Sequence, residues 1–120
     1  MTNRSKLLGD WGEGIAQAHL KTDGYQILDT NWRCSIGELD IVAKDGQTVV
    51  ACEVKTRTSA RFGTALEAIS PEKIRRLRQL LYAYLLANSL KANSIRVDVI
   101  GVTGIPETDP TIDHLKGIEL

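Results

Sequence analysis

Residues 37–55 decide the fold of this chain, and they read GELDIVAKDGQTVVACEVK. Two segments rich in apolar residues flank the pair Asp45-Gly46, whose residues tolerate the positive φ angles of a type I′ turn. The pattern predicts an antiparallel β-hairpin with this pair at its tip and with Lys44 opposite Gln47. The predicted register in turn decides which side chains share a face of the sheet.

The predicted hairpin carries its charged side chains on one face. In the register set by the turn, Asp40 lies opposite Ala51 and Glu38 lies opposite Glu53. Because side chains alternate between faces along a strand, the residues sort into two groups. One face is predicted to carry Glu38, Asp40, Glu53 and Lys55, and the other Leu39, Ile41, Ala43, Val50, Cys52 and Val54.

The acids on this face suit a divalent cation. Asp40 and Glu53 are diagonal neighbours in the predicted register, with backbones roughly 7–8 Å apart, and carboxylate oxygens are the ligands that hard divalent cations prefer. Carboxylates this close repel one another and bind protons unless a cation compensates them. Lys55 follows Glu53 by two residues on the same strand and face. The hairpin therefore predicts a metal site.

A second interpretation is that these charged residues form the solvated face of an ordinary hairpin, with ion pairs between the strands. Two features of the sequence favour the metal site. Val42, Val49 and Ala51 share the charged face, which is therefore partly apolar and is expected to be covered. Glu38 and Glu53 would also lie directly opposite each other as a destabilising like-charge pair.

Length and composition are those of one soluble globular domain spanning residues 1–120. Apolar residues make up 42% of the chain and charged residues 25%, both ordinary values. No apolar run approaches the roughly 20 residues that span a bilayer, and the first residues lack the apolar stretch of a signal peptide. We therefore expect a cytoplasmic protein without a membrane partner, in which Cys34 and Cys52 stay reduced.

The charges are distributed unevenly although the net charge is zero. Residues 55–78 contain seven basic and two acidic residues, a local net charge of +5, whereas residues 98–120 have a local net charge of −4. A basic surface of this kind is typical of phosphate binding, and the alternative is a solvated helix face. The residues predicted to contact nucleic acid are Arg57, Arg61, Lys73, Arg75, Arg76 and Arg78.

Helical spacing and capping signals predict two helices, one on either side of the hairpin. Ser70 is a good N-cap, and Pro71 suits the first position of the second helix. The first helix contains Gly9, Gly12 and Gly14, and because glycine weakens a helix we expect close approach of another backbone there. The order α-β-β-β-α-β-β is predicted, with a helix over 6–22, a strand over 25–31, the hairpin, a helix over 71–88, a strand over 95–102 and an edge strand within 111–120.

The remaining ionisable residues receive structural interpretations. Arg96 and Asp98 share a strand face and are expected to pair with each other or with a neighbour. His19 and His114 are interpreted as isolated side chains without a functional role, because a single histidine usually has a structural explanation.

Several short motifs spread over most of the chain are similar to those of one protein family. They are Gly12-Glu13, Gly37-Glu38-Leu39-Asp40-Ile41, Glu53-Val54-Lys55-Thr56-Arg57, Phe62-Gly63 and Arg96-Val97-Asp98-Val99. With these motifs the chain resembles the YraN-like family of bacterial proteins, which in turn resembles the restriction-endonuclease-like nuclease superfamily, in particular archaeal Holliday-junction resolvases. The resemblance implies an α/β fold with an αβββαβ core, in which helices flank a mixed sheet.

The resemblance also implies a set of catalytic residues. Glu13, Asp40 and Glu53 would be the metal-site acids, and Lys55 would be the catalytic lysine. The implied cofactor is Mg²⁺ or Mn²⁺, the implied partner is nucleic acid, in particular structured DNA, and the implied assembly is a homodimer like that of junction resolvases. Leu39 departs from the proline that many superfamily members have before the aspartate, and the Gln-x-x-x-Tyr motif of one nuclease branch is absent.

Two functional hypotheses from different classes follow. The first is a metal-dependent nuclease that hydrolyses phosphodiester bonds in structured DNA, such as a branch or a flap. The second is a non-catalytic nucleic-acid-binding module that retains the nuclease fold. Retention of the three acids together with Lys55 favours the nuclease, because a binding module gains nothing from carboxylates that face phosphate.

Overall fold

The computed structural model describes residues 3–61 and 63–119. Within these ranges five strands form a mixed sheet flanked by two α-helices, so the chain has an α/β fold. The order predicted from the sequence, with its αβββαβ core, is confirmed. The elements are α1 (Arg4–Thr22), β1 (Gln26–Cys34), β2 (Gly37–Asp45), β3 (Thr48–Arg57), a short 3₁₀ turn (Leu66–Ala68), α2 (Pro71–Ala87), β4 (Ser94–Thr103) and β5 (Thr111–Leu115).

The strands lie in the order β1-β2-β3-β4-β5, and each helix covers one face of the sheet. β3 and β4 are parallel and are connected through α2, whereas the other neighbouring strands in the described ranges are antiparallel. Ile41 and Val50 pack on the α1 side with Ala16 and Leu20, while Val97 packs on the α2 side. The central strands are therefore buried on both faces.

Both helices begin at side-chain caps. The Asn3 side chain accepts a hydrogen bond from the Lys6 amide at 2.7 Å. The Ser70 side chain accepts one from the Lys73 amide at 3.1 Å, as predicted for the second helix, and Pro71 occupies the first helical position. Across the part of the chain that the structure describes, no helix is long and apolar enough to cross a membrane.

One glycine of α1 is required by packing. A Cβ atom at Gly12 would overlap the Thr56 side chain of β3, whereas nothing lies within 4 Å of such an atom at Gly9 or Gly14. The expected close approach is therefore confined to Gly12, and the approaching group is a side chain rather than a backbone. This contact holds the part of α1 that carries Glu13 against β3.

The hairpin forms, but its turn lies one residue further along the chain than predicted. Asp45 pairs with Thr48, so the turn residues are Gly46 and Gln47, and Gly46 has a φ of +61°. Glycine at the first central position is typical of a type II′ turn, which needs a positive φ at that residue alone. Asp45 therefore stays in β2, where its carboxylate accepts a hydrogen bond from Arg96 at 3.0 Å.

The shifted turn moves the register of the hairpin by two residues. The predicted pairs of Asp40 with Ala51 and Glu38 with Glu53 are wrong, because Ala51 pairs with Val42. A shift of two residues keeps side chains on their original faces. Continued one residue beyond its last pair, the observed ladder brings Asp40 level with Glu53. The acid beside Glu53 is therefore Asp40 rather than Glu38.

Side-chain alternation along β2 breaks at Asp40. Strict alternation predicts Leu39 on the same side as Ile41, but Leu39 packs on the α2 side with Val42, so that prediction is wrong. The neighbouring strand is irregular at the same level, because Asn31 in β1 has a φ of +52°. The other residues predicted for the apolar face pack on the α1 side, namely Ile41, Ala43, Val50, Cys52 and Val54.

Candidate functional site

Asp40 lies where β2 and β3 separate. The ladder between these strands runs from the turn to the pair of Ile41 and Cys52. Beyond this pair, the Asp40 Oδ2 atom accepts a hydrogen bond from the Val54 amide at 3.0 Å. A side-chain carboxylate thus binds an amide of β3 that a backbone carbonyl would bind in a regular ladder. The bond holds the Asp40 charge at the margin of the apolar core.

Glu53 is a buried acid beside Asp40. Its side chain is 6% exposed and lies on the charged face, where Val49 and Ala51 are buried, so the prediction that this face is covered is confirmed. Burial and the Asp40 carboxylate raise the pKa of Glu53 to about 7. The Lys73 ammonium of α2 lies 3.3 Å from the Glu53 Oε2 atom and opposes this shift only in part.

Glu13 approaches Asp40 from α1. Burial raises the pKa of its half-buried carboxyl group, and the Asp40 carboxylate raises it further. With its amide oriented to satisfy both neighbours, Asn31 donates hydrogen bonds to the Oε1 atoms of Glu13 and Glu38, each at 3.1 Å. One asparagine on the irregular stretch of β1 thus links an acid of α1 to an acid of β2.

An open cleft of about 760 Å³ lies between the first half of α1 and the strands β1, β2 and β3. Lys55 faces this cleft, and its positive charge lowers the pKa of Glu53. Among the residues that the structure describes, the Lys55 ammonium has no ion pair or hydrogen bond, whereas Arg33 at the rim pairs with Glu38 at 3.0 Å. The lining includes Lys6, Glu13, Asn31, Arg33, Asp40 and Lys55.

The predicted metal ligands are neighbours, and Asp40 is the central member of the set. Its charge acts on both Glu13 and Glu53. In the described ranges, the one group of three acid, histidine or cysteine side chains with ligand atoms all within 4.8 Å lies elsewhere, at the end of α1. Binding of one cation by the three acids would therefore require their side chains to rotate toward it.

The chemistry of these donors fits Mg²⁺ or Mn²⁺. Every acid of the set offers carboxylate oxygens, which hard divalent cations prefer. Burial raises the pKa of Glu13 and of Glu53, and the Asp40 carboxylate raises both further, so the charged forms of these two acids are poorly stabilised by the protein itself. A bound cation would supply the missing positive charge.

The six basic residues predicted to bind nucleic acid differ in their surroundings. Arg61, Arg75 and Arg76 are exposed. Arg75 pairs with Glu72 at 3.5 Å on the surface of α2, and the Arg76 side chain passes beside Gly37 at the start of β2. Their contact with nucleic acid stays a prediction. The other three bind within the fold, Lys73 to Glu53, Arg57 to the Gly63 carbonyl and Arg78 to the Ile118 carbonyl.

The interpretation of His19 and His114 as isolated residues is wrong. The His19 Nε2 and His114 Nδ1 atoms lie 3.0 Å apart and share a hydrogen bond, although 95 residues separate them in sequence. The His114 Nε2 atom in turn lies 2.8 Å from the Asp98 Oδ2 atom. No local sequence pattern relates residues so distant. Asn31, which binds Glu13 and Glu38, is also absent from the residues predicted for the site, and the only sequence signal for it is that asparagine tolerates a positive φ.

Asp98 is fully buried and richly hydrogen-bonded. Arg96 donates to it through Nε at 2.8 Å, which confirms the predicted pair, and the Gly117 amide donates at 3.0 Å. Tyr25 donates to the same carboxylate at 3.2 Å. Burial alone would raise the pKa of Asp98, but the hydrogen bonds from His114, Arg96 and Gly117 outweigh it and lower the pKa to about 2.

Known proteins similar to this chain include one solved structure and a group of close relatives in sequence. A solved structure described as Pyrococcus furiosus SfsA in complex with Ca²⁺ aligns with a TM-score of 0.38 and 13% identity, over 97% of this chain and 65% of that chain. Much greater similarity is found to proteins described as UPF0102 proteins. The protein from Kineococcus radiotolerans is 46% identical over 92% of both chains, and that from Acidothermus cellulolyticus is 44% identical over 93% of this chain and 92% of the relative.

The family model confirms the resemblance found in the sequence motifs. It matches residues 12–102, a range that includes Gly12-Glu13, the hairpin and the motif around Asp98. Phe62, which belongs to another of these motifs, lies outside the described residues. The chain therefore belongs to uncharacterised protein family UPF0102, the YraN-like family.

Proposed function

We propose that this protein is a metal-dependent nuclease that hydrolyses phosphodiester bonds in nucleic acid, with structured DNA as its substrate. One observation carries the proposal. Asp40 and Glu53 are adjacent acids at the margin of the core, and their mutual repulsion contributes to a Glu53 pKa of about 7. Glu13, Asp40 and Lys55 line one open cleft, and Glu53 lies buried beside Asp40, so Asp40 joins the buried acid to the accessible residues.

Asp40 and Glu53 would hold Mg²⁺ or Mn²⁺, with Glu13 completing the set from α1. When bound there, the ion supplies a lowered pKa for a coordinated water and positive charge opposite the phosphate. The Val54 amide already donates a hydrogen bond to one oxygen of Asp40 at 3.0 Å, which orients this carboxylate. Asn31 restrains Glu13 in the same way.

Lys55 is the residue best placed to act on the reacting phosphate. Its ammonium faces the cleft and, within residues 3–61 and 63–119, has no ion pair that would compete with substrate. A cation fixed at this point orients an attacking water or stabilises negative charge that develops on phosphoryl oxygens. Lys73 is less available, because Glu53 already binds it.

Nucleic acid would reach the cleft past basic side chains that pair with acids in its absence, Lys6 with Asp10 at 2.9 Å and Arg33 with Glu38 at 3.0 Å. Lys6 and Arg33 lie at the rim. Arg76 passes beside Gly37, at the start of the strand that carries Asp40. Arginine and lysine contacts to phosphates give binding that weakens as salt increases.

A binding module without catalysis is the second candidate, and one observation favours it. Lys73 places a positive charge 3.3 Å from Glu53, where a metal would otherwise supply one. If this ion pair replaces the metal, the chain binds nucleic acid and does not cleave it. The two functions give different results in one assay.

The assay is Mg²⁺- or Mn²⁺-dependent cleavage of branched, flapped, linear and single-stranded DNA and of RNA. Lys55→Ala should lower cleavage by on the order of 100-fold or more with substrate affinity nearly unchanged, since an interaction made only in the transition state appears in kcat. The matched control is Lys91→Ala, which removes an exposed lysine from the connection between α2 and β4. Tight binding without cleavage of any of these substrates would support the binding module, and cleavage that survives both EDTA and Lys55→Ala would indicate a contaminating nuclease.

Phosphate contacts are tested separately through salt dependence. Replacing Arg75 and Arg76 together with alanine should flatten the dependence of DNA affinity on salt by about two contacts. Lys91→Ala is a suitable control, because it removes an exposed positive charge from the connection between α2 and β4. An unchanged salt slope in the double variant would mean that these arginines only solvate α2.

A further inference from the structure

Three potential metal ligands converge where the end of α1 meets β5. His19 lies in the last turn of α1, Asp23 caps that helix, and His114 lies in β5. One ligand atom from each residue lies within 4.8 Å of the others. Two imidazoles and a carboxylate are a common protein donor set for Zn²⁺, with a water in the fourth position.

The orientation of His114 is already that of a metal ligand. Its Nε2 atom lies 2.8 Å from the Asp98 carboxylate, which is held ionised by Arg96 and by the Gly117 amide. The proton of a neutral His114 therefore belongs on Nε2, and the lone pair of Nδ1 points toward His19. A carboxylate that binds the far nitrogen of a ligating histidine is the usual second partner in zinc sites.

The spacing of the two rings also suits a shared ion. The His19 Nε2 and His114 Nδ1 atoms are 3.0 Å apart, whereas two nitrogens bound at 2.0–2.1 Å to a tetrahedral ion lie about 3.3 Å apart. The distance between the two nitrogens therefore needs to grow by only a few tenths of an ångström, while the rings turn so that both lone pairs face the ion. His19 lies at the edge of this contact, partly exposed, so an ion has access from solvent.

We propose that His19, Asp23 and His114 form a Zn²⁺ site that links the end of α1 to β5. This site is separate from the proposed nuclease site, because Glu13 precedes His19 by six residues, roughly 9 Å along the helix axis. The ligand chemistry also separates them, since imidazole favours Zn²⁺ whereas an all-carboxylate set favours Mg²⁺ or Mn²⁺.

Lys116 is the group that opposes the ion. Its ammonium donates to the Asp23 Oδ2 atom at 3.2 Å and lies 5.6 Å from the centre of the Tyr25 ring. The Lys116 side chain is 49% exposed, so it can turn into solvent when an ion binds. Lys116→Ala should therefore strengthen Zn²⁺ binding, an effect that an unrelated surface site would not show.

The test is a calorimetric titration of Zn²⁺ into the full chain after dialysis against EDTA. In an Asp40→Asn background, which removes a ligand of the proposed nuclease site, the protein should bind one Zn²⁺ that His19→Ala weakens at least tenfold and Lys116→Ala strengthens. This background separates Zn²⁺ binding at His19 from binding at the nuclease site. Equal Zn²⁺ binding with and without His19→Ala in this background, or no Zn²⁺ binding by Asp40→Asn itself, would overturn the proposal.

A second measurement needs no variant. Zn²⁺ added to the wild-type protein should shift the imidazole nitrogen resonances of His19 and His114 together, with the directly ligated nitrogen moving most. Unchanged imidazole resonances at saturating Zn²⁺ would mean that the two histidines only hydrogen-bond to each other, and the proposal would then be wrong.

Discussion

Glu53 on β3 and Asp98 on β4 lie one residue apart along two parallel, hydrogen-bonded strands, and both are buried. Asp98 accepts hydrogen bonds from Arg96, Tyr25 and Gly117, and its pKa is lowered to about 2. The pKa of Glu53 is raised to about 7 by burial and by the neighbouring Asp40. Similar burial thus has opposite electrostatic consequences on adjacent strands.

The difference lies in the partners that the fold supplies. Charge around Asp98 is balanced by an arginine with several aligned donors, so this acid stabilises the structure without any ligand. Charge around Glu53 is balanced in part by Lys73, and a second carboxylate lies beside it. A buried acid that remains poorly compensated is a candidate functional group, whereas a fully compensated one is structural.

The largest change in stability is expected when the buried Asp98 carboxylate, whose charge is fully balanced by its partners, is replaced. Asp98→Asn should lower the free energy of unfolding by about 3–5 kcal/mol, because Arg96 loses its buried counter-ion. The measurement is urea unfolding at pH 7. Asp45→Asn is the matched control, since it removes a half-exposed partner of the same arginine and should cost less than about 1 kcal/mol. Similar losses in both variants would contradict the distinction.

Acid titration of the wild type shows the direction in which the stability contributed by Asp98 depends on pH. The pKa of Asp98 is about 2 in the folded state and 3.8 for an ordinary aspartate. Its contribution to stability is therefore complete above pH 3.8 and is lost as the pH falls through about 2. Asp98→Asn should remove this part of the acid-induced loss of stability.

Glu53→Gln should have the opposite effect on stability. The Glu53 pKa is about 7 when folded and 4.5 for an ordinary glutamate, so its favourable contribution is complete below pH 4.5 and is lost as the pH rises through about 7. At pH 8 without metal, Glu53→Gln should therefore stabilise the protein by about 1–3 kcal/mol. Urea unfolding at pH 5 and pH 8 in EDTA measures both sides of this transition.

Glu38→Gln is the control for the same experiment. Glu38 pairs with Arg33 at 3.0 Å and is more exposed than Glu53, so its replacement should change stability at pH 8 by less than about 1 kcal/mol. A destabilised Glu53→Gln protein at pH 8 would show that Lys73 compensates Glu53 fully. The contrast with Asp98 would then disappear.

Two glycine variants test whether the site at Asp40 and Glu53 depends on the position of α1, which carries Glu13. Gly12→Ala should destabilise the protein by about 1–3 kcal/mol, because the added methyl group overlaps the Thr56 side chain. Gly14→Ala meets no atom within 4 Å and should stabilise α1 by up to about 1 kcal/mol. Gly12→Ala should also weaken Mn²⁺ binding by displacing Glu13, and equal effects of both variants would contradict the packing account.

Much of the fold could be predicted from local sequence signals. The order of elements, the cap at Ser70 and the covering of Val49 and Ala51 depend on patterns a few residues long, and the structure confirms them. The adjacency of Asp40 and Glu53 also followed from one hairpin. The two-residue error in register did not separate them, because it moved Asp40 from a diagonal position to one level with Glu53.

The remaining features depend on contacts that no local pattern records. Leu39 changes side because the strand is distorted beside Asn31, and distortion of this kind depends on the neighbouring strand. The contact between His19 and His114 joins residues 95 positions apart. The binding of Lys73 to Glu53 likewise depends on how α2 crosses the sheet.

The central claim is that Asp40 and Glu53 form a site for a divalent cation, and Mn²⁺ calorimetry tests it most directly. Titration into the EDTA-dialysed protein in phosphate-free buffer should show binding that Asp40→Asn weakens strongly and Asp45→Asn leaves unchanged. Asp45 is the appropriate comparison because it lies on the same strand and pairs with Arg96. Absence of Mn²⁺ binding in the wild type, or the same isotherm in Asp40→Asn, would contradict the account.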